Sequence, residues 1–187
     1  MQTLLKKASQ IKMLVMDVDG VLSDGKIIYD ANGVETKVFH VQDGFGIELL
    51  HKAGFKTAII TGRASPIVEK RAKELKITHF LQGRPDKLEA LQEILANQEN
   101  GAISLDECAY IGDDWVDIKA IQTVGFAVTV ANAHDEVKNH VDMITTRQGG
   151  EGAVRELCDL LLKATGNFDD VLANYRLSDM DNASHKK

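Results

Sequence analysis

The chain has 187 residues, of which 44% are apolar and 27% are charged, and its formal net charge is −6. This size and composition predict a single globular domain that spans residues 1–187. The negative charge argues against a general surface for nucleic acid or for an anionic membrane, because both partners reward clustered lysine and arginine. An anionic substrate is still compatible, since a metal ion and a few local cations can reverse the field in one cleft.

The cysteines and the apolar segments favour a cytoplasmic protein. No apolar run approaches the ~18 residues that a membrane span needs. Acidic residues also interrupt the N-terminal apolar run where a signal peptide would need its core. Cys108 and Cys158 are far apart and show no metal-binding spacing, so we expect buried thiols in a reducing compartment. We therefore predict a cytoplasmic location and no membrane partner.

The first predicted element is a buried strand that ends in two carboxylates. Residues 11–22 form an apolar run in which Asp17 and Asp19 stand one residue apart, followed by Gly20. A short run rich in Val, Leu and Met is typical of a parallel strand that is buried on both faces. Two acids at the end of such a strand are costly unless a positive charge meets them.

A β-hairpin is predicted next, over residues 26–41, with its strands at 26–30 and 34–41. Asn32-Gly33 between the strands fits a type I′ turn, in which both central residues need positive φ. An isolated two-stranded ribbon is marginal in water and exposes its edges. We therefore expect the hairpin to pack against another surface, with a second subunit as one candidate.

The remaining chain alternates helix and strand. Predicted helices cover residues 44–53, 65–75, 86–95, 118–124, 134–139 and 149–163, and predicted strands cover 55–60, 77–81, 108–111, 126–130 and 143–145. Asp43 is the expected N-cap of the first of these helices, and Asp86 begins a capping box. The tail at about 167–187 is expected to be loosely ordered. Such alternation predicts an α/β fold, a Rossmann-like parallel sheet with helices on both faces.

Polar side chains follow three of the predicted strands. Asp17 and Asp19 end the first, Thr61 follows the second, and Asp113 and Asp114 follow the strand at 108–111. The carboxyl ends of parallel strands share one edge of the sheet, where ligands gather. Carboxylates about 4 Å apart repel by roughly 1 kcal/mol in water and about 4 kcal/mol at an effective dielectric of 20. The cluster therefore predicts a cation, and its all-oxygen ligands favour Mg²⁺ over zinc.

The same edge is suited to a phosphoryl group. Magnesium favours phosphate oxygens, and Lys87 at a helix start adds a positive charge beside free backbone N–H groups. Asp17 and Asp19 stand where the strand ends and have different neighbours, so they can divide the labour. One can bind the metal and attack phosphorus, while the other gives a proton to the leaving group and later takes one from water.

These residues resemble the four motifs of the haloacid-dehalogenase-like phosphatases. The motifs are, in order, Asp17-Val18-Asp19-Gly20-Val21, Thr61-Gly62, Lys87 and Gly112-Asp113-Asp114-x-x-Asp117. The resemblance implies that Asp17 is a nucleophile that forms an aspartyl-phosphate and that Asp19 is the general acid and base. It implies a magnesium site made by Asp17, the backbone carbonyl of Asp19 and Asp113, with support from Asp114 and Asp117. Thr61, Gly62 and Lys87 would hold the phosphate.

Within this family, the sequence is most similar to the capless branch. Only the hairpin separates the first two motifs, so no cap domain is expected, and residues 21–25, 43–44, 60–63 and 149–156 are also similar to that branch. The branch implies a homotetramer with central hairpins. It also implies that a small phosphorylated sugar acid, the 8-phosphate of an eight-carbon keto-sugar acid, is hydrolysed in the synthesis of a lipopolysaccharide precursor. Arg63 is then a candidate contact for the sugar-acid carboxylate. Arg155 follows a glycine-rich segment that is expected to approach the active site of a neighbouring subunit.

Alternatives stay open at this stage. A capless phosphatase that acts on a nine-carbon keto-sugar-acid phosphate would carry similar motifs. A phospho-accepting receiver module shares the sheet, the paired acids, a threonine and a lysine, but its acid pair and its phosphoacceptor lie on different strands, whereas Asp17 and Asp19 share one. Asp114 and Asp117 can also act simply as caps of the following helix.

Overall fold

A six-stranded parallel sheet forms the centre of the protein. The structure, a computed structural model, describes residues 2–97 and 102–176. The strands of the described ranges are β1 (Met13–Met16), β2 (Ile28–Tyr29), β3 (Glu35–Thr36), β4 (Lys56–Thr61), β5 (His79–Gln82), β6 (Cys108–Gly112), β7 (Phe126–Thr129) and β8 (Met143–Ile144). All except β2 and β3 belong to the central sheet, which has the order β5-β4-β1-β6-β7-β8 and in which every neighbouring pair is parallel. The predicted Rossmann-like sheet is confirmed.

Helices connect the strands and cover both faces of the sheet. They are α1 (Gln2–Ala8), α2 (Val41–Lys52), α3 (Pro66–Glu74), α4 (Lys87–Ala96), α5 (Ile118–Ile121), α6 (Asp135–Lys138), α7 (Ala153–Ala164) and α8 (Phe168–Ala173). Short 3-10 helices occupy Leu105–Glu107 and Trp115–Asp117. The sequence did not predict α1, a short helix in which only Ala8 is buried.

Alternate residues of β1 belong to two different hydrophobic layers. Leu14 and Met16 pack in the layer that also contains residues of α2 and α7, whereas Met13 and Val15 pack in the layer of α4 and α5. All four side chains are fully buried. Since successive side chains of a strand point to opposite faces, a strand covered on both sides must be apolar throughout. This requirement explains the uninterrupted apolar run that precedes Asp17.

The β-hairpin forms, but its strands are shorter than predicted. Ile28–Tyr29 pairs with Glu35–Thr36 in a separate two-stranded sheet. The Asp30 carboxylate closes the turn by accepting the backbone N–H groups of Asn32 and Val34, each at 2.8 Å. Gly33 has φ +77°, but in the described ranges Lys76 is the only non-glycine residue with positive φ, so Asn32 does not adopt it and the predicted type I′ turn is wrong. The prediction of a second strand as far as residue 41 is wrong, because α2 already begins there.

Asp43 caps a different helix from the one predicted. The N-cap of α2 is His40, whose ring accepts the backbone N–H of Gln42 at 3.3 Å. Asp43 lies buried in the first turn of α2, and its Oδ1 accepts the backbone N–H of Arg155 at 2.7 Å. The carboxylate therefore stabilises the start of α7 and joins two helices that are distant in sequence. Burial raises the pKa of this carboxyl group.

Two glycines allow a tight contact behind the loop that carries Asp19. A Cβ atom added to Gly149 would lie 1.6 Å from the carbonyl oxygen of Gly20. The neighbouring Gly150 donates its backbone N–H to the carbonyl of Val21 at 2.9 Å. The segment before α7 thus packs directly on the loop after β1, and any larger residue at position 149 would displace that loop.

The tail is more ordered than the sequence analysis predicted. Residues 168–173 form α8, in which Val171 is buried. The ring of Tyr175 contacts that of Phe45 edge to face, with 5.4 Å between the centroids. The prediction of a loose tail is therefore wrong for residues 168–173, and residues 177–187 lie outside the described part. Within the described ranges, no helix has the length and apolar character needed to cross a membrane.

Candidate active site

The predicted functional residues meet at the carboxyl ends of three adjacent strands. β1 lies between β4 and β6, and Met16 is in register with Ile59 and Ile111. The loops that follow these strands line a cleft of about 370 Å³. The predicted residues in its lining are Asp17, Asp19, Thr61, Gly62, Arg63, Lys87, Asp113 and Asp114. A larger cleft of about 690 Å³ lies between α2 and α3, but none of the predicted site residues lines it.

Three carboxylates converge at this cleft, two of them in its lining and the third, Asp117, fully buried beside them. Each of Asp17, Asp113 and Asp117 offers an oxygen, and the three oxygens lie within 4.8 Å of one another. Asp17 and Asp117 are buried, so water screens their mutual repulsion poorly. The nearest balancing charge is the ammonium group of Lys87. The three carboxylates and this single ammonium leave a negative charge that one divalent cation would neutralise.

Burial and mutual repulsion raise the pKa values of two members of the cluster. Burial raises the pKa of Asp17 to about 6, the Asp117 carboxylate adds to the shift, and Lys87 opposes it. Burial raises the pKa of Asp113 to about 7, with further contributions from Asp117 and Asp17. In the described ranges the Asp113 carboxylate accepts no hydrogen bond, so its oxygens are free to bind a cation. This donor set, all hard oxygens with a high charge, fits Mg²⁺.

Asp117 shapes the loop after β6 as well as contributing to the cluster. Its Oδ2 accepts the backbone N–H groups of Asp113 and Asp114 at 3.0 and 3.2 Å, and its Oδ1 accepts the Tyr110 hydroxyl at 2.7 Å. A Cβ atom at Gly112 would lie 2.4 Å from the Asp117 Cγ, so only glycine leaves room for this carboxylate. The sequence suggested either a helix cap or a supporting residue of the site. The Asp117 side chain does both.

Asp114 lies at the rim of the cleft and starts the following 3-10 helix. Its Oδ1 accepts the backbone N–H of Trp115 at 2.8 Å. Trp115 itself is 62% exposed and donates its indole N–H to His134 at 3.0 Å. This hydrogen bond supports the capping role of Asp114.

Lys87 is the buried cation of the cleft. Its Nζ donates to the Asp17 Oδ1 at 2.6 Å and to the carbonyl of Ile60 at 2.7 Å, and it lies 3.9 Å from the Asp117 Oδ1. Lys87 is the first residue of α4, which the Asp86 side chain caps by accepting the backbone N–H of Glu89 at 3.0 Å. The predicted N-terminal cap of this helix by Asp86 is therefore confirmed. It places the ammonium group next to the carboxylate predicted to be the nucleophile.

Thr61 and Arg63 form the wall of the cleft on the β4 side. Thr61 is buried, and its hydroxyl accepts the backbone N–H of Arg63 at 3.4 Å. The Arg63 Nη2 donates to Glu35 at 2.7 Å and lies 3.5 Å from the Tyr29 hydroxyl. In the described residues the Arg63 Nη1 is buried and has no hydrogen-bond partner. The guanidinium group therefore connects the cleft to the hairpin and keeps one donor free.

Sequence reasoning missed two hairpin residues that contact side chains of the cleft. Glu35 accepts Arg63 and also the Ser65 hydroxyl at 3.1 Å, and the ammonium group of Lys37 contacts the Asp19 carboxylate. The available signal was the alternation of the strand, since residues two apart lie on the same face. Residues 35 and 37 are such a pair, and both turn towards the domain.

The structure does not bring Arg155 to this cleft. Its side chain pairs with Asp159 at 2.8 Å and lies over the ring of Phe45, 5.4 Å from the centroid. The expectation that this segment approaches the active site of a neighbouring subunit stays a prediction.

The fold and the four motifs on it are those of a haloacid dehalogenase-like hydrolase. Residues 81–157 match the model of the family described as haloacid dehalogenase-like hydrolase. The sheet order and the acids after β1 and β6 extend this assignment to the N-terminal half of the chain.

Comparisons with individual proteins are more specific. The chain is 46% identical over 166 residues to 3-deoxy-D-manno-octulosonate 8-phosphate phosphatase KdsC of Escherichia coli K12, which covers 89% of this chain and 87% of that protein. The crystal structure of the phosphatase of this name from Moraxella catarrhalis, in complex with magnesium, phosphate and KDO, has a TM-score of 0.90 and 49% identity, covering 94% of this chain and 99% of that one. The cobalt-bound enzyme from Haemophilus influenzae has a TM-score of 0.81 and 41% identity, covering 87% and 93%. The chain belongs to the 3-deoxy-D-manno-octulosonate 8-phosphate phosphatases, a branch of the haloacid dehalogenase-like hydrolases. This membership excludes the receiver-module alternative.

The raised carboxyl pKa values predict how stability depends on pH. Asp17 and Asp113 retain protons up to pH about 6 and about 7 in the folded state. Unfolded aspartates lose them near pH ~3.9. The folded state therefore binds more protons between pH ~4 and ~7, and the free energy of unfolding of the metal-free protein falls as pH rises through this window. Thermal unfolding between pH 5 and pH 8 measures this effect.

Added magnesium should reverse the trend, because the cation competes with protons for the same oxygens. We expect the Mg²⁺-induced rise in the unfolding midpoint to be larger at pH 8 than at pH 5. Asp113→Asn, which removes one titrating ligand, should show both a smaller fall with pH and a smaller response to Mg²⁺. A magnesium response that is independent of pH, or equal in the variant, would contradict this assignment.

Proposed function

We propose that this chain hydrolyses 3-deoxy-D-manno-octulosonate 8-phosphate to the free sugar acid and phosphate, with Mg²⁺ as cofactor. The observation that carries the proposal is the presence of Asp17, Asp19, Lys87 and Asp113 in the lining of one cleft, with the buried Asp117 carboxylate close to Asp17 and Asp113. The identity with KdsC over most of both chains supports the choice of substrate. The product would serve the synthesis of a lipopolysaccharide precursor. The two buried, unpaired cysteines are compatible with a cytoplasmic location.

The first half of the reaction transfers the phosphoryl group to Asp17. Lys87 holds the Oδ1 of Asp17, and a carboxylate oxygen of Asp17 forms a bond to phosphorus while the bond to the sugar oxygen breaks. Asp19 gives its proton to the departing alkoxide. Bound Mg²⁺, held by Asp17, the carbonyl of Asp19 and Asp113, would neutralise charge on the phosphoryl oxygens.

The second half returns Asp17 to its starting state. Asp19, now a carboxylate, takes a proton from water, whose oxygen attacks phosphorus and breaks the bond to Asp17. Thr61, Gly62 and Lys87 line the cleft where the phosphoryl group would lie. Asp114 and Asp117 support the metal site by holding the loop after β6.

Arg63 is the proposed contact for the carboxylate of the sugar acid. It lines the cleft, and its side chain is 38% exposed. A guanidinium group that already donates to Glu35 through Nη2 has further N–H groups with which it can bind a second carboxylate. Arg155 is proposed to serve a cleft of a neighbouring subunit.

A phosphate-release assay on a panel of sugar phosphates tests the proposal. The eight-carbon and nine-carbon keto-sugar-acid phosphates should be compared side by side, with Mg²⁺ and with a chelator. We expect kcat/KM to be at least about tenfold higher for the eight-carbon substrate, a difference of about 1.4 kcal/mol in transition-state binding, and no turnover with the chelator. A preference for the nine-carbon substrate would select the alternative phosphatase.

We further propose that the protein is a homotetramer assembled through its hairpins. Exposed apolar side chains concentrate in the hairpin and the segment after it: Tyr29, Val34 and Val38 are 59%, 59% and 62% exposed, and Val41 at the start of α2 is 81% exposed. Apolar groups gathered on one projecting element are typical of a surface that another subunit covers. Since equivalent hairpins can meet around a symmetry axis, one element can supply the whole contact.

Removal of apolar surface from the hairpin should shift the protein to smaller species. We expect the double variant Val34→Ser and Val38→Ser to lower the mass measured by light scattering, because it removes exposed apolar contacts without disturbing the turn. Leu5→Ser, at an exposed apolar position on α1, is the matched control and should leave the mass unchanged. An unchanged mass in the double variant would contradict the role of the hairpin.

A further inference from the structure

Lys37 is a buried lysine that none of the four motifs contains. It directly follows β3, and its side chain is only 1% exposed. Its ammonium group contacts the Asp19 Oδ1 and lies 3.7 Å from Glu35. Lysine is seldom buried without a partner. The fold therefore places the charged group of Lys37 against Asp19, the carboxylate that is proposed to transfer the proton.

The contact holds one oxygen of Asp19 and leaves the other free. Besides Lys37, the Ser23 hydroxyl lies 3.5 Å from the same Oδ1. Within the described parts of the chain, the Asp19 Oδ2 has no hydrogen-bond partner. A carboxylate anchored through one oxygen keeps a fixed orientation while the second oxygen exchanges a proton.

Lys37 reaches Asp19 from the hairpin and not through the substrate space. Asp19 lines the cleft, whereas Lys37 is absent from the described residues in its lining. A direct role in holding phosphate is therefore assigned to Lys87, whose side chain does line the cleft. The position of Lys37 is that of a residue that acts through Asp19.

We propose that Lys37 is a positioning residue that fixes the Asp19 Oδ1, so that Oδ2 is presented to the leaving oxygen of the substrate. This inference rests on the proposed function, in which Asp19 protonates the departing alkoxide. It also makes the hairpin part of the catalytic machinery, because the orientation of the proton donor depends on a hairpin residue. Misplacement of a reacting group by about 1 Å can cost on the order of a hundredfold in rate.

The test compares two leaving groups in Lys37→Met, which keeps the length of the side chain and removes its charge. kcat/KM reports the step in which the leaving group departs. A sugar alkoxide needs a proton from Asp19, whereas the nitrophenolate of p-nitrophenyl phosphate departs with much less assistance. We expect kcat/KM for the sugar phosphate to fall on the order of 10- to 100-fold. The fall should be at least about tenfold smaller for p-nitrophenyl phosphate.

Three controls separate positioning from a structural role. Lys26→Met removes a lysine that pairs with Asp24 at the surface, and it should not change the ratio of the two kcat/KM values. Asp19→Asn should change the ratio in the same direction as Lys37→Met. Adding Lys37→Met to Asp19→Asn should change the ratio no further, since the two residues act in one pathway.

Equal losses on both substrates, or no loss on either, would overturn the positioning role. A further change of the ratio in the Asp19→Asn background would overturn it as well. If the wild-type protein hydrolyses a different alkyl phosphate, the proposed function fails, and the same ratio is measured with that alkyl phosphate. The two proposals therefore fail in distinguishable ways.

Discussion

Asp17→Asn is expected to reduce kcat at least about a thousandfold while the protein stays folded. An amide is a poor nucleophile, and the substitution also removes one charged oxygen from the proposed magnesium site. Because burial and repulsion raise the pKa of Asp17 in spite of Lys87, the ionised form is disfavoured in the metal-free protein. We therefore expect the metal-free variant to unfold at pH 8 at a temperature no lower than the wild type. Steady-state phosphate release and thermal unfolding measure the two effects.

Asp19→Asn is the matched control for Asp17→Asn, because it changes the neighbouring acid of the same motif. It leaves the nucleophile in place and slows the attack of water, so a phosphorylated protein should accumulate after rapid quenching with radiolabelled substrate. The Asp17→Asn variant should give no phosphorylated protein under the same conditions. Turnover near the wild-type rate in Asp17→Asn, or label retained on it, would refute Asp17 as the nucleophile.

Lys87→Met is expected to have the largest effect on stability. The substitution leaves Asp17 and Asp117 buried without the ammonium group that lies 2.6 and 3.9 Å away. Loss of one partner of a buried ion pair typically costs about 3 to 5 kcal/mol, and we expect a destabilisation of that order for the metal-free protein at pH 8. The cost should shrink at pH 5, where Asp17 is largely protonated. Denaturant unfolding at the two pH values measures the difference.

Lys119→Met is the surface control for Lys87→Met. Lys119 is 72% exposed and pairs with Asp86 at 3.3 Å, an interaction worth at most about 1 kcal/mol. The double variant Asp17→Asn and Lys87→Met should recover part of the stability that Lys87→Met loses, because it removes one of the unpaired carboxylates. Equal stability of Lys87→Met and Lys119→Met would show that the buried pair does not hold the cleft together.

The location of the site can be predicted from the sequence because three strands each end in a polar residue after an apolar run. Asp17, Thr61 and Asp113 each stand one residue after, or at the end of, an apolar run, and parallel pairing then forces them together. Lys87 was accessible because Asp86 marks the start of its helix. Strand periodicity and helix capping depend on neighbouring residues, so both can be recognised in a single sequence.

Other features depend on contacts that no local pattern records. Asp43 looks like the N-cap of its own helix but caps α7 through Arg155, 112 positions away in the chain. The partners of Glu35 and Lys37 lie beyond the hairpin, so alternation indicates their side and not their targets. The order of α8 arises from its packing beside α7, where Val171 joins the core. These are tertiary effects, and they account for most of the errors in the sequence analysis.

In the part of the chain that the structure describes, the hairpin forms its own two-stranded sheet and contributes no backbone hydrogen bonds to the ladder of the central sheet. Insertions or substitutions at its tip can therefore accumulate without shifting a single strand that carries the chemistry. Glu35 and Lys37 are the exception, since each is tied to a residue of the cleft. The hairpin can therefore vary in sequence as long as Glu35 and Lys37 keep their contacts. A designer who grafts a hairpin from a relative to alter assembly or substrate range should retain those two charges and vary the remainder.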